Sequence, residues 1–252
     1  HLCRSVRYKL FSNFAKLSNL CFHAFAIDNL LNISYISTLN LNVDAKKINI
    51  AVLASGRGSN FRAILKSIDE GKLNAQVVLV LSNNSDAGAL VTARERGIPA
   101  VHLSRKQFPT DEEFNAEMLK ILDEYNVELI ALAGYMKKLD PVIVQKYRHR
   151  ILNIHPALLP SFGGQGMYGM HVHEAVIEHG CKVSGVTVHI VDEEYDHGPI
   201  VLQRAVEVAD NDTPETLAEK TLKIEHQIYS EAIQLFAGNR IEIKGRRVIV
   251  KD

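Results

Sequence analysis

From Ile48 onward, short β-branched and aliphatic runs alternate with amphipathic stretches of helical period, and this alternation is the strongest limit on the fold. A strand separated from the next by a helix cannot form a hairpin with it, so successive strands are laid parallel by crossovers. The spacing predicts strands at 48–54, 77–81, 100–103, 129–133 and 151–154, with helices near 60–70, 87–96, 111–125 and 141–147. The first helix shows its stripe in Phe61, Ile64, Leu65 and Ile68; the third shows it in Phe114, Met118, Leu119 and Leu122. After Pro160 the style changes. A glycine-rich loop at 163–169 precedes a short helix at 172–179, then two longer strands at 183–191 and 200–208. A helix opening at Asp212 or Thr213 runs to about Phe236, and 241–250 reads as a hairpin around Lys244-Gly245. The expected class is α/β: a doubly wound, mostly parallel, Rossmann-like sheet with an antiparallel C-terminal addition.

The 252 residues carry 29 Lys and Arg against 29 Asp and Glu, a formal net charge of +0. No global basic field argues for nucleic acid, so an anionic ligand must be caught locally. Cys3, Cys21 and Cys181 are scattered and odd in number, which fits a reducing compartment and argues against a disulfide framework. Cys181 is expected to be a small core residue. The segment before Val43 carries Arg4, Arg7, Lys9 and Lys16 but only Asp28 as an acid. In composition it resembles an organellar transit peptide; the alternative is an extension foreign to the folded domain. The expected division is therefore an irregular extension at 1–47 and one domain at 48–252. Polar residues such as Asn29, Asn32 and Ser34 interrupt every apolar run before the roughly 20 residues a membrane span needs. The protein is expected to act on small molecules, without nucleic acid or membrane, as a monomer or homodimer. Its expected location is cytoplasmic, or organellar if 1–47 is a transit segment.

Four stretches carry chemistry. Ser55-Gly56-Arg57-Gly58-Ser59-Asn60 joins the first strand to the first helix, where free amides and glycines make an oxyanion cradle. It is neither a Walker loop nor a dinucleotide fingerprint, because no Gly-Lys-Ser/Thr follows and residue 61 is Phe. Asn153 and His155 stand two apart on a strand and so share a face. Asp196 sits in Glu194-Tyr195-Asp196-His197-Gly198-Pro199, a turn able to hold a carboxylate near that imidazole. The loop Leu132-Ala133-Gly134-Tyr135-Met136-Lys137-Lys138-Leu139 emerges beyond the fourth strand, at the edge where open parallel sheets gather ligands. Each has a plainer reading when taken alone: a tight turn, a core histidine, a turn aspartate. His171 and His173 stand two apart but lack an accompanying carboxylate or cysteine set, so no metal is expected.

Together, Asn-Ile-His-Pro-x-Leu-Leu-Pro at 153–160 and Asp-x-Gly-Pro at 196–199 resemble the folate-dependent formyltransferases, over essentially 48–238. The resemblance implies transfer of a formyl group from 10-formyltetrahydrofolate to the amine of a phosphorylated ribosylglycinamide, on the purine-synthesis branch of that family, with no metal. It makes Asn153, His155 and Asp196 catalytic and His189 a site neighbour. It assigns the substrate phosphate to Gly58, Ser59 and Asn60, and the ribose hydroxyls to Glu225. It assigns the folate to Met136, Lys137, Leu139 and Asn153. The chain also departs from the family pattern. Leu222 stands where the family has a phosphate-assisting Lys or Gln, leaving Lys220 or Lys223 as replacements. Lys137 stands where Arg is frequent and Lys138 where the family is apolar, and the 161–170 loop is longer and richer in glycine. Rival readings are a formyltetrahydrofolate hydrolase, another formyltransferase, and a silent nucleotide- or folate-binding module.

Overall fold

The computed structural model describes residues 46–251, so the expectations for the N-terminal segment fall, except at Lys46 and Lys47, outside the described residues. Strand β1 (Ile48–Leu53) shows why the middle of the sheet needs cover on both sides. Ile50 and Val52 enter one apolar cluster, whereas Ala51 and Leu53 enter another. A strand buried on both faces loses the polar alternation of a surface strand, which is what its sequence shows.

Around β1 lie β2 (Ala75–Ser82), β3 (Ala100–His102), β4 (Leu129–Leu132), β5 (Ile151–His155), β6 (Val183–Ile190), β7 (Ile200–Glu207), β8 (Ile241–Lys244) and β9 (Arg247–Val250). Their order is β3-β2-β1-β4-β5-β6-β7-β9-β8. The first five are parallel, and β6 is antiparallel to both β5 and β7. On one face pack α1 (Ser59–Asp69), α2 (Gly88–Glu95) and α6 (Pro214–Ala237), through Phe61, Ile64, Leu90, Ile228 and Ile233. On the other pack α3 (Asp111–Glu124) and α4 (Pro141–Lys146), through Met118, Leu122 and Ile143. Helix α5 (Met170–Glu178) joins a smaller cluster of Val176, Val206, Val208 and Leu217. Thr213 caps α6 by accepting from the Thr216 N–H, with Pro214 at the first helical position.

The expected class and element order match this architecture, with small shifts. β5 extends through His155 because that residue pairs with Thr187 of β6, a non-local partner that local pattern does not reveal. α5 begins at Met170, and Cys181 is half-buried at the edge of the small cluster instead of enclosed in the core.

Candidate active site

Strand order reverses between β1 and β4, and the loops after β1, β4 and β5 therefore leave the sheet beside one another. Side chains tie these loops together. The Tyr229 hydroxyl, fully buried on α6, shares its proton between the Leu132 and Leu152 carbonyls at 3.0 and 3.1 Å and so bridges the ends of β4 and β5. Ser55 Oγ donates to Asn83 Oδ1 at 2.5 Å and accepts from the Met136 N–H at 2.8 Å, linking the loop after β1 to the loop after β4.

The antiparallel register sets Asn153 opposite His189 and His155 opposite Thr187. His189 Nδ1 lies 3.0 Å from the Ile190 carbonyl, so that nitrogen carries the proton and Nε2 accepts from Asn153 Nδ2 at 3.1 Å. The second Asn153 N–H reaches Asp196 Oδ1 at a longer 3.4 Å. His155 donates from Nε2 to the Phe162 carbonyl at 2.8 Å and turns Nδ1 toward Asp196 Oδ1 at 3.6 Å. His189 Nε2 stands at the same 3.6 Å from that oxygen. These are ion-pair distances, too long for hydrogen bonds. One carboxylate thus faces two imidazoles and an amide.

Burial lowers the His155 pKa below its usual value, with Asp196 and the Phe162 carbonyl pulling the other way. For Asp196, burial opposes ionisation, but His189, His155 and the Gly164 N–H outweigh it and hold the carboxyl below its ordinary pKa. The Gly164 N–H donates to Oδ2 at 2.9 Å. Asp196 adopts φ 51°, a left-handed conformation unusual for a residue with a Cβ. The next glycine cannot be replaced cheaply, since a Cβ on Gly198 would lie 1.8 Å from the Ile190 carbonyl oxygen.

A cleft of about 280 Å³ opens onto this cluster. Its walls include Tyr135, Met136 and Leu139 on one side and Tyr168 on the glycine-rich loop, with Asn153 and His155 at the base. Met136 and Tyr168 are each 51% exposed, which leaves apolar faces at its mouth. Burial pushes the Tyr135 hydroxyl up to about 12. The sequence-expected Met136, Lys137, Leu139, Asn153 and His189 all line this cleft.

The loop after β1 lies apart from that cleft's lining. Gly58 caps α1 at φ 75° without a side-chain bond, and a Cβ there would stand 2.9 Å from the Ala89 Cβ. A bare helix N-terminus of this kind favours an anion. Asn60 Nδ2 donates to Glu225 Oε2 at 2.6 Å across 165 residues of sequence. Burial raises the Glu225 pKa, with the Asn60 bond opposing it. Lys220 is committed to Asp212 at 2.5 Å, whereas Lys223 shares a groove between α1 and α6 with Ser59, Arg62 and His226. His171 stacks on Tyr168 at 5.0 Å and is exposed, but His173 is buried, and no metal-ligating cluster occurs among the described residues.

Sequence reasoning missed Thr187. Its fully buried hydroxyl donates to the Ala157 carbonyl at 2.6 Å and accepts from the Leu159 N–H and Gln203 Nε2 at 3.0 and 2.9 Å. A threonine in a β-branched strand carries no local signal of that task.

A doubly wound sheet that gathers an amide, two imidazoles and a carboxylate at the carboxyl end of β5, one strand from its switch point, places the chain among the α/β proteins whose ligand crevice opens at the strand ends. Residues 48–233 match the family described as formyl transferase, and the chain belongs to that family; the match stops before the β8–β9 hairpin. The chain is 44% identical over 200 residues to the chloroplastic phosphoribosylglycinamide formyltransferase of Arabidopsis thaliana, covering 79% of this chain and 68% of that one. Glycinamide ribonucleotide transformylase 1 from Symbiobacterium toebii superposes with TM-score 0.77 at 43% identity, covering 82% of this chain and 95% of that one. A formyltetrahydrofolate deformylase from Pseudomonas syringae pv. tomato superposes with TM-score 0.74 at 25% identity, covering 82% and 67%.

Proposed function

We propose that the chain transfers the formyl group of 10-formyltetrahydrofolate to the amine of 5-phosphoribosylglycinamide, a step of purine synthesis. The observation that carries this reading is the meeting of Asn153, His155 and Asp196 at the base of one cleft, and the bare N-terminus of α1, where an anion is favoured, supports it. The amine nitrogen attacks the formyl carbon, the carbonyl π pair moves to oxygen, and the tetrahedral species collapses by expelling the folate N10, which takes up a proton as the attacking nitrogen loses one. An incoming formyl oxygen competes for the Asn153 N–H now given to Asp196 at 3.4 Å, the longer of that amide's two bonds. Asn153 and protonated His155 stabilise the oxyanion, each aligned donor contributing roughly 3 kcal/mol. Asp196 favours the charged imidazole and passes the proton onward.

In this reading Met136, Lys137, Leu139 and Asn153 hold the folate, and the apolar faces of Met136 and Tyr168 cover its ring. Gly58, Ser59 and Asn60 hold the phosphate and Glu225 the ribose. The formyltransferase domain is 48–252. The chloroplastic naming of the Arabidopsis relative favours the transit reading of 1–47 over a cytoplasmic location.

Incubating the chain with 10-formyltetrahydrofolate, with and without the ribosylglycinamide phosphate, tests the assignment. Formyl transfer that requires the amine is expected. Deformylation without the amine at an equal rate makes the chain a hydrolase instead, and no turnover at all makes it a binding module.

A further inference from the structure

The turn that carries Asp196 is held from outside the sheet by the C-terminal hairpin. β9 meets β7 at a single parallel register pair, Ile200 with Arg247, which sets the hairpin turn beside Gly198 and Pro199. Arg246, on that turn, donates from one guanidinium nitrogen to the His197 carbonyl at 2.5 Å and lays the other against the His197 ring, 2.7 Å from Nε2 and 3.3 Å from Nδ1. The carboxylate Oδ2 of Asp192, 2.7 Å from His197 Nδ1, can only accept, so Nδ1 carries a proton and donates it there. The other Asp192 oxygen accepts from the Glu194 N–H at 3.0 Å. Arg246, His197 and Asp192 therefore form a continuous brace around both ends of Glu193-Glu194-Tyr195-Asp196.

A brace is what this turn requires. Asp196 sits at φ 51°, which persists in a non-glycine residue only when its surroundings over-determine it. Its inner face is fixed by the Gly164 N–H, and its outer face meets a crevice lined by His197, Gly198 and Arg246. A guanidinium that grips one backbone carbonyl and one side chain of the same residue fixes both position and rotation, which a lysine cannot reproduce.

We infer that Arg246 is a positioning residue for the reaction: it locks the Asp192–Gly198 turn so that the Asp196 carboxylate stays aligned on His155 and His189. The inference rests on the catalytic reading of Asp196 given above.

The test compares Arg246→Ala, Arg246→Lys, His197→Ala, the Arg246→Ala/His197→Ala double variant and Asp196→Ala in the full chain, by steady-state kinetics with both substrates and by thermal melting. Arg246→Ala is expected to lower kcat about tenfold, equivalent to ~1.4 kcal/mol. KM for the ribosylglycinamide phosphate should stay within about twofold, because its binding groups lie on α1 and α6. Arg246→Lys should recover part of the loss, and the double variant should lose clearly less than the sum of the two single losses, since the two residues share the guanidinium–imidazole contact. A kcat within twofold of the parent in Arg246→Ala, with Asp196→Ala inactive, overturns the inference while leaving the role of Asp196 intact. Parent-like turnover in Asp196→Ala overturns the catalytic reading itself, and the inference with it. Additive losses in the double variant also overturn it. If Arg246→Ala melts below the assay temperature, His197→Ala decides: it removes the imidazole link alone, and an unchanged kcat in it overturns the brace.

Discussion

Replacing Thr187 by valine keeps shape and volume but removes a hydroxyl whose one proton and two lone pairs are all engaged. No cavity forms, so the cost is that of polar groups left behind. The Ala157 carbonyl and the Leu159 N–H lose the hydroxyl in a fully enclosed place, with Thr187 and Ala157 at 0% exposure. Gln203 Nε2 keeps its second acceptor, the Leu159 carbonyl at 3.0 Å, and adds little. Each abandoned buried group costs about 1–3 kcal/mol, and partial relaxation brings the total to roughly 3 kcal/mol. For a domain of this size that lowers Tm by about 6–12 °C. The freed segment, 156–160, directly follows His155, and a shift of about 1 Å at a reacting group costs up to a hundredfold, so kcat should fall by about ten- to a hundredfold. Thr187→Ser, which keeps the hydroxyl, should lose only about 1 kcal/mol for its missing methyl and retain most of its turnover. Melting curves and initial rates on the three proteins decide the matter. A valine variant within 1 kcal/mol of the parent and equally active refutes the claim that this hydroxyl sets the His155 loop.

Asp196→Asn keeps the side-chain shape but removes the charge that raises the His155 pKa; burial then lowers that pKa further, so the alkaline limb of the rate profile should move to lower pH and turnover fall about a hundredfold. An unshifted pH–rate profile counts against it. Gly58→Val forces a Cβ to 2.9 Å from the Ala89 Cβ at a left-handed φ, so separate calorimetric titrations should show the ribosylglycinamide phosphate weakened at least about tenfold and the folate unchanged; equal losses mean the two ligand halves are misassigned. Glu225→Gln should raise stability at neutral pH by roughly 1 kcal/mol while weakening the sugar phosphate. The Glu225 pKa is raised on folding, so its contribution is fully present below the unfolded value of about 4.5 and lost as pH rises through the folded one; the glutamine gain should vanish in acid, and a pH-independent gain in urea titrations argues against a buried carboxylate.

The parallel half of the sheet was legible because its strands are buried on both faces and its helices are amphipathic, two periods that cannot be confused over this length. The antiparallel pairing of β6 with β7 was legible because no helix lies between them; the reversal of β6 against β5 was not, because α5 separates those two strands. The meeting of Asn153 and His155 followed from strand alternation, and Asp196 from its turn. Contacts that depend on tertiary register were not legible. Tyr229 looks like one more apolar residue on α6, yet it joins the carbonyl ends of β4 and β5 from 97 and 77 residues away. The choice between Lys220 and Lys223 also needed three dimensions, since only the structure shows Lys220 spent on Asp212.

The charge balance of the cluster explains why a group as costly as a partly buried carboxylate belongs there. Burial alone would leave His155 neutral, with its Nε2 proton already given to the Phe162 carbonyl. A neutral imidazole then has only the Nδ1 lone pair to offer, and that pair points at Asp196. Protonation at Nδ1 turns this unfavourable approach into an ion pair, so the carboxylate makes the charged imidazole accessible without making it permanent. In the proposed reaction, that is the state a forming oxyanion needs. The same carboxylate must stay ionised to do so, and the Gly164 N–H together with two neighbouring imidazoles keeps its pKa down despite its burial. Moving Asp196 outward by loosening its turn weakens both effects at once, which is why the restraints on that turn matter as much to the chemistry as the residues at the base of the cleft.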